Sequence, residues 1–181
     1  MTKTSNVRAD FIQPILVLTL ICLICAALLA YLNSVTKPVI EATEAAIAEA
    51  ARDEVLPGAG GFTKLDVTLP EGSFVTEVYE ANNGSGYVFM VTGNGYGGKG
   101  TMKLIVSMDP SGAILATKTL QHAETAGMGS KTADEPWRSQ FVGVTADTLS
   151  SVDTISGATI SSTHYLNSIR SVFEAFAAIS K

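Results

Sequence analysis

The sequence predicts an α+β domain, an antiparallel β-sheet with helices packed on it, preceded by one transmembrane helix. Three observations support this prediction: an uncharged apolar segment near the N-terminus, alternating strand-like segments in the middle, and an amphipathic helical pattern near the C-terminus. We therefore expect a tail at 1–10, a transmembrane helix at 11–32, a helical linker at 33–60 and a folded domain at 61–181.

The apolar segment is long enough to cross a bilayer. Residues 11–32 contain no charged side chain, and at a helical rise of about 1.5 Å each they span about 33 Å. A cleaved signal peptide is the alternative, but its apolar region is usually shorter, and no A-x-A site follows here. Lys3 and Arg8 precede the span and only Lys37 closely follows it. We therefore expect a cytoplasmic tail and an extracytoplasmic domain at 61–181.

Two further helices are predicted. Residues 38–56 are rich in Ala and Glu and predict a helix that stops at Pro57. The second helix lies near the C-terminus, where four apolar residues recur at helical spacing. These are Leu166, Ile169, Phe173 and Phe176.

Four strand-like segments lie between the helices. They are rich in β-branched and apolar residues, and turn sequences such as NNGSG and DPSG separate them. Their order with short connections predicts an antiparallel meander. The segments are SFVTEVYEA (73–81), YVFMVT (87–92), TMKLIVSM (101–108) and AILATKTL (113–120). Residues 121–140 break the pattern and predict a long, functional loop.

Charge and cysteine content exclude several classes of function. Residues 33–181 carry 10 Lys+Arg against 16 Asp+Glu, so we expect no nucleic-acid partner. Cys22 and Cys25 lie inside the apolar span, where packing is their expected role. A zinc site built on His122 and His164 would lack cysteine ligands outside the membrane, and we expect no metal.

The glycine-rich segment GNGYGGKGT, residues 93–101, resembles two nucleotide-binding motifs. Gly95, Gly97 and Gly100 fit G-x-G-x-x-G, and the segment nearly fits a P-loop. Both motifs require a helix immediately afterwards, because its N-terminus holds the phosphate. A strand follows here, so we expect a glycine-rich connection between strands.

The segment HAETAGMGSK, residues 122–131, combines polar side chains with glycines. It is compatible with a polar loop tied by side-chain hydrogen bonds or with a ligand-binding loop. In a ligand-binding loop Thr125 and glycine N–H groups would be donors, and Met128 an apolar contact.

The segment DTISGATISST, residues 153–163, is expected to expose the hydroxyl of Thr159. Gly157 and Ala158 remove bulk beside it, so another molecule could approach. A phosphate attached there would lie near a helix N-terminus, which stabilises negative charge. The following hydroxyls also fit a simple helix start, with Ser161, Ser162 or Thr163 as N-cap.

The motif D-x-x-S-G-A-T resembles the flavinylation motif of the covalent FMN-binding domain family. Its residues here are Asp153, Ser156, Gly157, Ala158 and Thr159. The resemblance implies FMN joined through its phosphate to the threonine oxygen by an FAD-dependent flavin transferase.

The likeness extends from about Leu56 to Lys181, over GYGGKGTMKLIVSMDPSGAI, HAETAGMG and PWRSQFVG. Ala126 and Met128 stand where the family usually has Pro and Leu. The strongest similarity is to the G subunit of Rnf-type ion-pumping electron-transport complexes, and the C subunit of sodium-pumping NADH:quinone reductase is also similar.

The resemblance implies a membrane-anchored electron-transfer subunit, rather than a stand-alone enzyme, that works with the other membrane subunits of an Rnf-like complex. The residues then expected to shape the flavin pocket, without an acid–base role, are His122, Glu124, Thr125, Gly127 and Met128. Two alternatives remain: a flavinylated domain of another extracytosolic electron-transfer or regulatory system, and a cofactor-free tethered interaction module.

Overall fold

The computed structural model describes residues 12–179, so the predicted tail, with Lys3 and Arg8, and the first residue of the predicted span lie outside the described residues. The chain divides into two compact units, one up to Ala46 and one from Ile47 onward.

The first unit is helical. All described residues of this unit except Ile12 belong to helix α1 (Gln13–Val55), whose last residues belong to the second unit. Pro14 lies in the first turn of this helix and Pro38 in its interior. Its N-terminal half is long and apolar enough to cross a membrane. Because the side chains there are exposed, this half is not the core helix of the folded unit.

The second unit is built on a five-stranded sheet whose strands follow one another in chain order, each antiparallel to its neighbour. The predicted meander and the α+β class are confirmed. The short first strand was not predicted, because its four residues show no alternation. The strands are β1 (Phe62–Leu65), β2 (Val75–Ala81), β3 (Tyr87–Gly95), β4 (Gly98–Met108) and β5 (Ile114–His122).

Apolar side chains cover both faces of the sheet. Adjacent strand residues point to opposite faces, so Phe89 joins one buried cluster and Val88 the other. The larger cluster contains helix α3 (Thr159–Ile179), which packs on β3. The smaller cluster contains Val55 and neighbouring apolar residues from the end of α1.

The segment after β5 is less irregular than predicted. It contains a 3₁₀ turn (Gly129–Ala133), the short helix α2 (Glu135–Arg138) and a second 3₁₀ turn (Ser139–Phe141). Buried Trp137 and Phe141 anchor this part in the larger cluster, and their ring centroids are 5.2 Å apart in an edge-to-face contact.

Helix α3 begins earlier than the predicted N-caps. The N–H of Ser162 donates to the carbonyl oxygen of Ala158 at 2.9 Å, which closes the first turn from Thr159. Ser161, Ser162 and Thr163 are therefore inside the helix, and the prediction that one of them is the N-cap was wrong. Of the apolar residues predicted to pack, Ile169 is fully buried.

Candidate functional site

The segment before α3 is fixed by its backbone. The indole N–H of Trp137 donates to the carbonyl oxygen of Asp153 at 2.7 Å, and the amide oxygen of Gln140 accepts from the Asp153 N–H at 3.2 Å. Trp137 and Gln140 are three residues apart, so one short stretch holds both sides of Asp153. The Asp153 residue itself is exposed to solvent.

The turn into α3 brings Thr159 to the surface. The N–H of Ala158 donates to the Ile155 carbonyl at 2.9 Å, and the Ile155 N–H donates to the Ser162 hydroxyl at 3.0 Å. Gly157 has φ +81°, which disfavours residues with a side chain. After this turn Ala158 is buried, whereas Thr159 is exposed as the first residue of the helix.

The loop after β5 is closed by hydrogen bonds of its own. The Thr125 carbonyl accepts from the N–H groups of Met128 and Ser130, both at 3.2 Å. The Gly127 N–H donates to the Ser130 hydroxyl at 2.9 Å, and Gly127 has φ +76°. The Met128 side chain is left 52% exposed.

The loop and the segment before α3 meet at one pocket of about 460 Å³. Five of the residues predicted for the site line it together: Thr125, Met128, Gly157, Ala158 and Thr159. The lining is completed by Tyr96, Gly129, Ile160 and Ser161.

Four residues of the pocket were missed by sequence reasoning. Tyr96 lies between the two strands of the β3–β4 hairpin and is 64% exposed, and Ile160 in the first turn of α3 is 56% exposed. The available signal was a large apolar side chain next to glycines or small residues, as at Tyr96 and Ile160. The nucleotide-binding motifs compared with this sequence do not use that signal. Gly129 and Ser161 are buried, and their role depends on contacts that the sequence does not reveal.

The other predicted residues lie around the pocket and do not line it. His122 ends β5 opposite Met102, and its Nδ1 accepts from the N–H of Glu124 at 3.3 Å. The Glu124 carboxylate accepts from the Tyr96 N–H at 2.8 Å and from the Ser161 hydroxyl. The remaining ones are Gly127, Asp153 and Ser156, all exposed. Within residues 12–179, His, Cys, Asp and Glu form no group of three that could hold a metal ion.

Comparison with known proteins places this site in a family. A model of the FMN-binding domain matches residues 95–174, which include every residue that lines the pocket. The G subunit of the ion-translocating oxidoreductase complex of Methanosarcina acetivorans is 30% identical over 177 residues, covering 91% of this chain and 94% of that protein.

The chain belongs to the G-subunit family of ion-translocating oxidoreductase complexes. The protein of the same name from Shewanella piezotolerans is 26% identical over 180 residues, covering 86% of this chain and 84% of that protein. The G subunit of the proton-translocating ferredoxin:NAD(+) oxidoreductase complex of Clostridium ljungdahlii is 25% identical over 169 residues, with 87% and 86% covered.

Membership of the G-subunit family confirms the resemblance seen in the sequence, and the matched domain makes FMN the expected cofactor. This member of the G-subunit family is an electron-transfer flavoprotein subunit with a helix suited to membrane anchoring.

Proposed function

We propose that this chain carries FMN covalently on Thr159, through a phosphoester, and relays electrons within an ion-translocating membrane complex. The observation that carries the proposal is the position of Thr159. It is an exposed hydroxyl on the first residue of α3, and it lines a pocket formed jointly with the loop after β5.

Two serine hydroxyls that follow Thr159 in α3 differ from it in their surroundings. Ser161 donates to Glu124, and Ser162 donates to the Ala158 carbonyl while it accepts from Ile155. Both serines are buried. Thr159 is exposed, so an attacking hydroxyl is accessible there and not at the two serines that follow.

The start of α3 suits a phosphoester. The first N–H groups of a helix have no partner inside the helix, and the helix dipole favours negative charge at this end. Gly157 lies two residues before the attachment position, and the nearest atom to a Cβ built on it, among the described residues other than its chain neighbours, is the Met128 Cε at 3.7 Å. A phosphate group on Thr159 would therefore meet backbone donors and little steric hindrance.

The pocket also fits the rest of the cofactor. Its volume lies within the range of about 300–1,000 Å³ typical of small-molecule sites. Tyr96, Met128 and Ile160 offer apolar surface to a planar ring, and Thr125 offers a hydroxyl. When bound, FMN supplies the capacity to accept and release electrons, whereas these residues bind and orient it.

The names of the relatives suggest the setting. One similar protein belongs to a proton-translocating and another to a Na(+)-translocating ferredoxin:NAD(+) oxidoreductase complex. By analogy, we propose that this chain passes electrons between other membrane subunits of such a complex. Its apolar helix anchors it, with the folded domain 61–181 on the extracytoplasmic side. Protease added to intact spheroplasts should then digest that domain, and full protection would reverse the orientation.

The attachment is tested by intact-mass analysis after co-expression with an FAD-dependent flavin transferase. The wild-type chain should gain the mass of one FMN phosphoester, and Thr159→Ala should gain none. Thr163→Ala is the matched control, because Thr163 is also exposed and lies one turn further along the same helix. An adduct that persists in Thr159→Ala would refute the assignment. Absence of flavin fluorescence from the denatured wild-type band would favour a cofactor-free module.

A further inference from the structure

Glu124 holds together two parts of the pocket that are far apart in the sequence. Its Oε1 accepts from the Tyr96 N–H in the β3–β4 hairpin, and its Oε2 accepts from the Ser161 hydroxyl in α3. The three residues lie on separate elements, because Glu124 itself follows β5. The carboxylate is partly buried and does not line the pocket, although Tyr96 and Ser161 do.

Two glycines leave the space that this carboxylate occupies. A Cβ on Gly95 would meet Oε1 closer than real Cβ contacts allow, and it would lie 2.8 Å from the Thr101 hydroxyl. A Cβ on Gly129 would likewise meet Oε2, and it would lie 2.6 Å from the Ser161 hydroxyl oxygen. Neither glycine has a backbone conformation that requires glycine, so the reason that the structure offers for them is the close approach of Glu124, together with the Thr101 hydroxyl at Gly95 and the Ser161 hydroxyl at Gly129.

We infer that Glu124 is a positioning residue that fixes the Tyr96 hairpin against the start of α3, and so fixes the two walls between which the flavin lies. This inference rests on the proposed function for the identity of the ligand, but not for the bridge itself. It assigns Glu124 a role different from direct flavin contact. Both of its bonds use the oxygens as acceptors, so the role depends on where the acceptor atoms lie.

The variants separate geometry from charge. Glu124→Ala removes both bonds. Glu124→Gln removes the charge, but its amide oxygen can still accept from the Tyr96 N–H, and its amide nitrogen can donate to the Ser161 oxygen. Gly129→Ala displaces the carboxylate without changing any polar group. Glu174→Ala is the matched control, since Glu174 is an exposed glutamate on α3, the helix that Glu124 contacts through Ser161.

The first measurement uses the full-length protein in detergent, produced without flavin transferase. Amide hydrogen exchange at Tyr96 should become roughly 10- to 100-fold faster in Glu124→Ala, which is the factor expected for loss of a hydrogen bond to a charged acceptor. Gly129→Ala should show the same direction of change. Glu174→Ala should stay close to wild type, and Glu124→Gln should accelerate exchange less than Glu124→Ala, because its amide oxygen still accepts but carries no charge. Unchanged Tyr96 exchange in Glu124→Ala, or equal acceleration in Glu124→Gln, would overturn the inference.

The second measurement uses the flavinylated protein. Glu124→Ala should still gain the FMN mass, because Thr159 is unchanged, but its flavin absorption band should shift and iodide should quench its fluorescence more strongly. A residue needed only for stability would lower the Tm and leave the spectrum unchanged, and that result would also overturn the inference. If wild type gains no FMN, the proposed function fails, and the exchange experiment still decides whether the bridge exists.

Discussion

The turn between β4 and β5 and the pocket at the start of α3 are stabilised in opposite ways. In the turn, Asp109 Oδ1 accepts from the Ser111 N–H, the Ser111 hydroxyl and the Ala113 N–H, at 2.9, 2.7 and 2.9 Å. Every partner lies within four residues. Beside the pocket, Glu124 bonds to two residues that line it, 28 and 37 positions away. The turn can therefore form from its own sequence, whereas the pocket exists only once the whole domain has folded.

The largest effect is expected where α3 packs on the sheet. Gly93 in β3 faces Ser168 of α3, and a Cβ on Gly93 would overlap the Ser168 hydroxyl oxygen and lie 3.3 Å from its Cβ. Gly93→Ala should lower the free energy of unfolding by about 2–3 kcal/mol, because overpacking at a close contact forces neighbours apart. Thermal unfolding of the full-length protein measures the change.

A second substitution tests the cause. Ser168→Ala removes the overlapping oxygen, so the double variant Gly93→Ala/Ser168→Ala should regain much of the lost stability. Ser168→Ala alone should cost little, since its hydroxyl bonds within its own helix, to the His164 carbonyl at 3.0 Å. Independent, additive losses in the double variant would contradict the proposed contact.

An intermediate effect is expected where Trp137 holds the Asp153 backbone. Trp137→Phe keeps an aromatic ring near Tyr165, whose ring centroid is 5.0 Å away, but it loses the bond to the Asp153 carbonyl. We expect a loss of about 1–2 kcal/mol, the cost of leaving an acceptor without its donor. If the flavin transferase reads residues 153–159 in this conformation, FMN incorporation should also slow, which a mass-spectrometric time course records.

Gln140→Ala separates the effect on stability from the effect on FMN incorporation. Gln140 is exposed, so water can replace its bond to Asp153 and the loss of stability should be smaller. Incorporation should still slow, because the segment is held on one side only. A wild-type rate of incorporation in both variants would show that the transferase does not depend on this contact.

The same contrast explains what the sequence could predict. Alternation and turn residues are local signals, and they located β2 to β5 and the turn at Asp109. The helical spacing of Ile169 and Phe173 located α3. The start of α3 was misplaced, because the Ser162 hydroxyl serves the Ile155 N–H and the Ala158 carbonyl rather than capping the helix.

The candidate site was predictable only where it resembles a known motif. Thr125 and Met128 were chosen from one segment and Thr159 from another, and nothing in the sequence required the two segments to share a pocket. The position of Tyr96 in the pocket was not predictable, because it depends on a hairpin tip that is hydrogen-bonded to Glu124, 28 residues away. Long-range contacts of this kind leave no periodic signal in one sequence.

The smallest effect is expected in the turn, and pH reveals it. Burial alone would raise the pKa of Asp109, but hydrogen bonds from Ser111, Gly112 and Ala113 outweigh it and lower that pKa below its ordinary value. A carboxylate with a lowered native pKa contributes stability above its unfolded pKa, near 3.9, and this contribution is lost as the pH falls through the native pKa.

Asp109→Asn should cost about 0.5 kcal/mol at pH 7, a small value because solvent screens an exposed turn. Near pH 2 that difference should narrow, whereas Asp147→Asn, at an exposed aspartate, should change stability little at either pH. Urea unfolding at both values decides, and an equal deficit at pH 7 and pH 2 would mean that the charge of Asp109 does not hold this turn.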